Sequence, residues 1–557
     1  MILFKRFDTD AIFQRLALLA VAAFLIVVLA LPLGTLFEKS FRDRDGVWVG
    51  LANWVRYLET PSLVGSLWNT IWVSALATAI VVPLAFVYAY ALTRTTMRWR
   101  GLFRAVGLVP ILAPSLLPAI SLIYLFGNQG FARWMLMGET VYGPIGIVIA
   151  QVFYCFPHAF LILATALSIA DKRHYEAASV LGAGQTRIFL TVTLPGVKYG
   201  LVSAFFVVFT LVATDFGIPK VIGGRFNVLS TDIYKQVVGQ QNFEMGAVVG
   251  MVLLLPAMLA FAVDRWVAKR QVALLTARAV PYEPKPNAIR DRALFAFCAL
   301  IAACILTLLG VAVWASFIQY WPWNTALTLR HYVFSNADAS GWEAYWNSLQ
   351  MSALVATFGT AAIGVGAWLV EKTKGAGILR GAVHLLAMIP LAVPGLVLGI
   401  AYIFFFNAPS NPLGFVYGTM AILVLNTIAH FYTVAHLTSL QALKQMDPEF
   451  ESVSASLKVS VWRTAWRVTL PVASPAALDV WFYMFVNSMT TVSAVVFLYG
   501  PFTKLASVSI VNMDEAGFTA SAAAMGVVVV LTSGFAKILH SLLAAYLAKR
   551  TQAWRAR

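Results

Sequence analysis

Long apolar runs separated by short basic segments set the pattern of this chain. With about 20 apolar residues needed per bilayer crossing, six spans fall in the first half, at roughly 16–37, 70–92, 105–126, 144–169, 198–218 and 246–267. Six more follow at roughly 294–318, 348–370, 382–406, 414–438, 474–498 and 522–546. Pro83, Pro110, Pro114, Pro118 and Pro256 interrupt some of them, which membrane helices tolerate where neighbours satisfy the freed carbonyls. Lys5, Arg6 and Arg15 precede the first span. That run is too long for a secretory signal and lacks a small-residue cleavage site, so it reads as a retained span. Basic residues cluster after the even spans: Arg94, Arg98, Arg100 and Arg104; Lys172, Arg173 and Arg187; Lys269, Arg270, Arg278, Lys285, Arg290 and Arg292. By the positive-inside rule both termini lie in the cytoplasm, the C-terminus marked by Lys549, Arg550, Arg555 and Arg557.

The second half repeats the first. Asn69-Thr70, Ser74-Ala75-Leu76 and Thr95 recur at constant offset as Asn347-Ser348, Ser352-Ala353-Leu354 and Thr373. Pro110 and Pro114 recur as Pro390 and Pro394, Met245-Gly246 as Met525-Gly526, and Leu194-Pro195 as Leu470-Pro471. Six spans per repeat make the two repeats parallel, related by a pseudo-two-fold axis along the membrane normal. The predicted fold is therefore all-α, with about 12 transmembrane helices. Residues 1–267 form the first repeat, 268–293 a proline-bearing cytoplasmic linker, and 294–557 the second repeat.

One polar stretch between apolar runs stands out: Glu176-Ala177-Ala178-Ser179-Val180-Leu181-Gly182-Ala183, continuing to Leu194-Pro195. It reads as a short helix, a glycine turn and a second helix stopped by proline. Its small residues suit insertion into a groove on a soluble partner. The second copy, aligned on Leu457 and Leu470-Pro471, places Ser452 at the Glu176 position, with Glu451 one residue early, and Lys458 at the Gly182 position. It keeps small residues but is expected to lose the carboxylate and the glycine turn. Either it docks through Glu451, Arg463 and Arg467, or only the first loop docks tightly; asymmetric docking by both is the favoured reading.

Glu-Ala-Ala, then Leu-Gly, then Leu-Pro resembles the cytoplasmic coupling loop of permease subunits in binding-protein-dependent ABC importers, here with both repeats fused on one chain. Fused permeases of this length occur in iron(III), thiamine and 2-aminoethylphosphonate systems. Leu125-Phe126-Gly127-Asn128-Gln129-Gly130, Tyr142-Gly143-Pro144-Ile145-Gly146 and Thr214-Asp215-Phe216-Gly217-Ile218-Pro219 look most like the aminoethylphosphonate permeases, the last also fitting iron(III) permeases loosely. The resemblance implies a type I importer fold in a bacterial inner membrane. Its implied partners are a periplasmic solute-binding protein and two copies of a cytoplasmic ABC ATPase, which would carry the ATP and magnesium. No cofactor is expected on this chain, which has no phosphate-binding G-x-x-x-x-G-K-[ST] motif. Such a permease is not itself an enzyme.

Composition narrows the alternatives. The chain of 557 residues is 60% hydrophobic and 11% charged, against about 25% charged in soluble proteins. Its net charge of +16 is explained by the basic loops and needs no nucleic acid. Cys155, Cys298 and Cys304 lie in apolar runs and read as small core residues. A secondary transporter of the major facilitator type would carry G-x-x-x-D-R/K after its second span, where this chain has Thr93-Arg94-Thr95-Thr96-Met97-Arg98-Trp99. A membrane enzyme would need clustered carboxylates or histidines, and the seven histidines are scattered.

Candidates for the translocation path are Asp215, Asn128, Tyr154, His158, His430, Tyr432 and Asn487. Asp215 either contacts a cationic group or pairs with Lys220 or Arg225. Asn128 lies at a loop end, and a lone intramembrane histidine more often bonds a neighbouring helix than lines a path.

Overall fold

Proline positions decide which apolar runs become straight helices. The computed structural model describes residues 9–272, 280, 282–373 and 375–551. Lys5, Arg6, Arg555, Arg557 and the linker residues 273–279 and 281 lie outside the described residues. Ten described helices are long and apolar enough to cross a membrane: Asp10–Lys39, Pro61–Arg94, Pro144–Ser168, Gln185–Thr214, Phe243–Val263, Ala288–Phe317, Glu343–Lys372, Met420–Lys444, Val461–Thr490 and Thr519–Leu547. The third predicted span of each half is not straight. Arg100–Leu112 and Leu116–Phe126 meet at 101°, and Gly377–Ala392 and Gly395–Phe406 at 114°; counting each pair as one span gives 12. The cause is shared. Pro110 and Pro390 each sit in a 3₁₀ turn, and Pro114 and Pro394 lie in the following break, where a ring without an N–H also disfavours helix in the residue before it. The described strands are one short antiparallel pair, Ile318–Tyr320 with Asn324–Leu327.

The helices pack as two units that cut across the sequence repeats. The first unit is 49–341 with 509–528; the second is 1–48, 342–508 and 529–557. The opening span of each half thus packs among helices of the other half. In the second unit Thr9–Leu25 and Leu31–Lys39 lie against Gly377–Met388 and Gly395–Phe406, and the Tyr402 hydroxyl donates to the Val28 carbonyl at 2.7 Å. In the first unit Ala288–Phe317 lies against Pro61–Arg94, Arg100–Leu108 and Leu116–Phe126, with the Phe103 and Phe295 rings edge-on at 5.4 Å. Cys155 and Cys298 are buried as expected, whereas Cys304 is exposed on the outer side of that span.

Residues that recur in sequence make the same bonds within each unit. Asn69 Nδ2 donates to the Asn227 carbonyl at 3.0 Å, and the Leu229 N–H donates to Thr70 Oγ1 at 2.9 Å. In the second unit Asn347 Nδ2 donates to the Lys504 carbonyl at 3.1 Å, and the Ala506 N–H to Ser348 Oγ at 2.8 Å. These polar clasps pin a loop to the start of a long helix where apolar packing alone would not fix its register.

Candidate functional site

The first loop is a nine-residue helix, Lys172–Val180, whose N-terminus is capped by Asp171, the Arg173 N–H donating to its carboxylate at 3.0 Å. That bond holds the Asp171 carboxyl below its usual range. The C-terminus closes as a Schellman turn: Gly182 N–H donates to the Ser179 carbonyl and Ala183 N–H to the Ala178 carbonyl, both at 3.0 Å. Gly182 has φ +74°, which glycine adopts without Cβ strain. Glu176, Ala177 and Gly182 are exposed and Ala178 half-buried. Val180 and Leu181 stand 87% and 84% exposed, a bare apolar tip on a solvated loop.

The second loop reproduces this geometry with different residues. The helix Glu449–Ser456 ends with Lys458 N–H donating to Ala455 and Val459 N–H to Ser454, both at 3.0 Å. The expected loss of the turn is corrected: Lys458 adopts φ +55° and keeps the reversal without a glycine. Its apolar tip is Val453 and Leu457, 56% and 70% exposed, with Ser452 exposed beside them. The carboxylates differ. Glu176 is 60% exposed and only 3.7 Å from Lys172, whereas Glu451 turns inward to Lys372 at 2.9 Å. Arg463 and Arg467 remain exposed.

Proline does not stop the helix after either loop, contrary to expectation. Gln185–Ile188 runs through a π-turn, Phe189–Thr193, into Leu194–Thr214, and Val461–Thr464 runs through Ala465–Thr469 into Leu470–Thr490. The wider π-turn makes room for the ring of Pro195 or Pro471, which would otherwise meet the carbonyl four residues back. Leu194 is half-buried, and Leu470, Pro195 and Pro471 are exposed on these continuous helices.

The linker holds the first loop at its base. Lys172 N–H donates to the Val280 carbonyl at 2.9 Å, and Lys172 Nζ lies 3.2 Å from Glu283, which raises the ammonium above its usual range. The Tyr175 and Tyr282 rings are 4.5 Å apart. Buried Arg94 lies 4.5 Å from the Tyr282 ring centroid and donates to the Leu167 carbonyl at 2.6 Å. The basic loop composition pointed to this region, but not to Arg94 as the residue joining linker, loop helix and span.

At the far end of the first unit's continuous helix, Asp215 occupies the break after Thr214. It does not pair with Lys220 or Arg225. Gln151 Nε2 donates to it at 2.9 Å and Ile218 N–H at 3.0 Å, while Lys220 pairs with Glu515 and Arg225 is exposed. This break packs on the bend of the broken pair: a Cβ on Gly217 would lie 2.4 Å from Ser115 Oγ. The second unit repeats the junction, with Asn426 Nδ2 donating to the Ala494 carbonyl at 2.6 Å and Gly395 packed on Ser493. His430 Cε1 lies 3.3 Å from where a Gly395 Cβ would be, so it joins this junction. Broken helices in a membrane protein place polar backbone where it lines protein or water.

The other path candidates scatter. Asn128 is exposed, and its carbonyl accepts from Arg133 at 3.0 Å. Tyr154 and His158 are half-buried neighbours on one helix, their rings 5.9 Å apart. Tyr432 is fully buried against Gly366, its ring stacked on His436 at 5.8 Å. Asn487 turns back on its own helix, donating to the Tyr483 carbonyl at 2.8 Å. Among the described residues no three His, Cys, Asp or Glu side chains gather to hold a metal.

The family described as binding-protein-dependent transport system inner membrane component matches residues 81–272 and 362–549, one match per repeat. A ferric transport system permease protein of Actinobacillus pleuropneumoniae is 26% identical over 531 residues, covering 92% of this chain and 76% of the relative. A putative ferric transport system permease protein of Haemophilus influenzae is 26% identical over 86% of this chain and 77% of its own length. A putative 2-aminoethylphosphonate transport system permease protein of Salmonella typhi is 24% identical over 43% of this chain and 86% of its own length. A solved bacterial ABC transporter involved in alginate import aligns over 48% of this chain at 15% identity, with a TM-score of 0.40.

Proposed function

The chain belongs to the binding-protein-dependent transport system inner membrane component family and is the permease subunit of an ABC importer in the inner membrane; on that premise we propose ferric iron, handed over by a periplasmic binding protein, as its cargo. The observation that carries this choice is coverage. Two relatives matched through both repeats, each 26% identical, are named for ferric transport; a third, 23% identical over 90% of this chain, carries no cargo in its name, and those named for 2-aminoethylphosphonate match less than half of this chain.

Two copies of a separate ATPase dock on the exposed tips at Val180-Leu181 and Val453-Leu457. The missing phosphate-binding motif supports a separate energy source. The basic loops support cytoplasmic placement of both tips and both termini. Closure of the ATPase pair on ATP displaces the loop helices. Each loop joins a continuous span; the first, Gln185–Thr214, is 30 residues long, or about 45 Å. Such a rigid rod carries displacement from the tip to the break at Asp215, biasing two states of the path from either end.

The reading is tested in cells expressing the importer with its binding protein and ATPase. Uptake of radiolabelled Fe(III) is expected, and is expected to stop when the ATPase gene is deleted. Uptake that persists without the ATPase contradicts the energy assignment. The second reading, 2-aminoethylphosphonate, rests on the stretches 125–130, 142–146 and 214–219 and on the half-length relatives. Uptake of that compound without iron uptake selects it.

A further inference from the structure

Asp479 is the only carboxylate in the span Val461–Thr490. It lies nine residues beyond Leu470, about 13 Å along the helix and well inside the apolar segment. Its side chain is 57% exposed, and Oδ1 is 2.8 Å from Nε2 of His540, which is 10% exposed. His540 Nδ1 is 3.2 Å from Lys537 Nζ. The imidazole stacks on Phe482 at 4.6 Å, and the ammonium lies 4.8 Å from the same ring centroid. An ammonium can only donate, so Nδ1 accepts and Nε2–H donates to the carboxylate. The relay fixes the tautomer and aims Asp479 with one oxygen engaged by His540 and its remaining lone pairs outward. All four residues belong to the second unit.

The helix seam does not require these charges. By the offsets that pair Leu194 with Leu470 and Met245 with Met525, the first unit has Ser203, Ala257 and Ala260 at the corresponding positions, both alanines buried. The outer side of Thr519–Thr551 exposes Leu531, Phe535, Ile538 and Leu542, whereas the partly exposed run before Asp479 is Pro-Val-Ala-Ser-Pro-Ala-Ala-Leu. A carboxyl group open on one side within an apolar span faces water, because hydrocarbon penalises so polar a group heavily.

We propose that Asp479, oriented by His540 and Lys537, is a binding contact for positively charged cargo on a water-facing wall of the second unit. This rests on the transport reading above. A carboxylate oxygen suits both a hard trivalent cation and an ammonium group, the positive charge common to the two cargo candidates.

The test uses the full importer in cells. Asp479→Asn is expected to lower the Fe(III) uptake rate about tenfold or more with the amount of chain in the membrane unchanged, and Asp479→Glu to recover at least half of it. In a chain with Cys155, Cys298 and Cys304 replaced by alanine, Asp479→Cys is expected to react with a membrane-impermeant cationic thiol reagent. Wild-type uptake by Asp479→Asn overturns the proposal. So does absence of labelling from both sides of the membrane. Loss of the chain from the membrane in both Asp479→Asn and Asp479→Glu makes the relay a helix staple and also overturns it. Wild-type uptake of 2-aminoethylphosphonate without iron removes the ferric reading alone, and the same two variants are then compared on that cargo.

Discussion

Gly182 and Lys458 hold one backbone conformation in two repeats: φ is +74° and +55°, and in each case the next amide donates to the carbonyl five residues back. Only the second bears a side chain in that left-handed region, at a cost of about 1 kcal/mol. Lys458→Gly is expected to stabilise its loop by about 0.5–1 kcal/mol, read as slower hydrogen exchange at the Val459 amide. Gly182→Lys is expected to speed exchange at Ala183 about fivefold and to lower uptake. Unchanged exchange in both would mean that the turns are not set by these residues.

Much of this was legible in the chain. The repeat spacing paired Asn69-Thr70 with Asn347-Ser348, though not the bonds these residues make, and Glu176 through Ala183 marked the first loop. The rest depends on tertiary geometry that leaves a faint mark in sequence. Pro195 signals a helix stop, yet a π-turn absorbs it and the helix runs on. Lys458 carries no sign that it will take a positive φ. Exchange of the opening spans between halves shows only in contacts far apart in sequence, such as the hydrogen bond from the Tyr402 hydroxyl to the Val28 carbonyl. Asp479 did carry a signal, a lone acid within an apolar run, but its partners His540 and Lys537 lie in another helix.

Arg94 ties the linker to the loop. Arg94→Leu leaves the Leu167 carbonyl without its charged donor and removes the cation beside Tyr282. We expect a loss of about 2–4 kcal/mol, seen as a lower Tm of the purified chain. Tyr282→Ala is expected to leave the amount of chain unchanged but to reduce uptake per ATP hydrolysed.

The junction of helix breaks predicts a coupled pair. Gly217→Ala places a Cβ against Ser115 Oγ and is expected to cost about 1–3 kcal/mol. Adding Ser115→Ala should recover part of that. A double-mutant cycle by thermal unfolding checks the coupling, expected at about 0.5 kcal/mol or more.

Gln151 supplies a side-chain donor to Asp215 from the neighbouring helix. Gln151→Leu is expected to cost about 1.5–3 kcal/mol, since the bond is to a charged group. Gln151→Glu, which sets two carboxylates together, should cost more. Thermal unfolding of both variants against wild type gives the order.

The most direct test of force transfer through the loops is labelling at their tips. In a chain free of other cysteines, Val180→Cys and Leu457→Cys are treated with a membrane-impermeant thiol reagent in inside-out vesicles, with and without the ATPase partner. Both positions are expected to react rapidly from the cytoplasmic face and to be shielded when the ATPase is bound. Reaction from the periplasmic face, or rapid labelling undiminished by bound ATPase, would contradict the account.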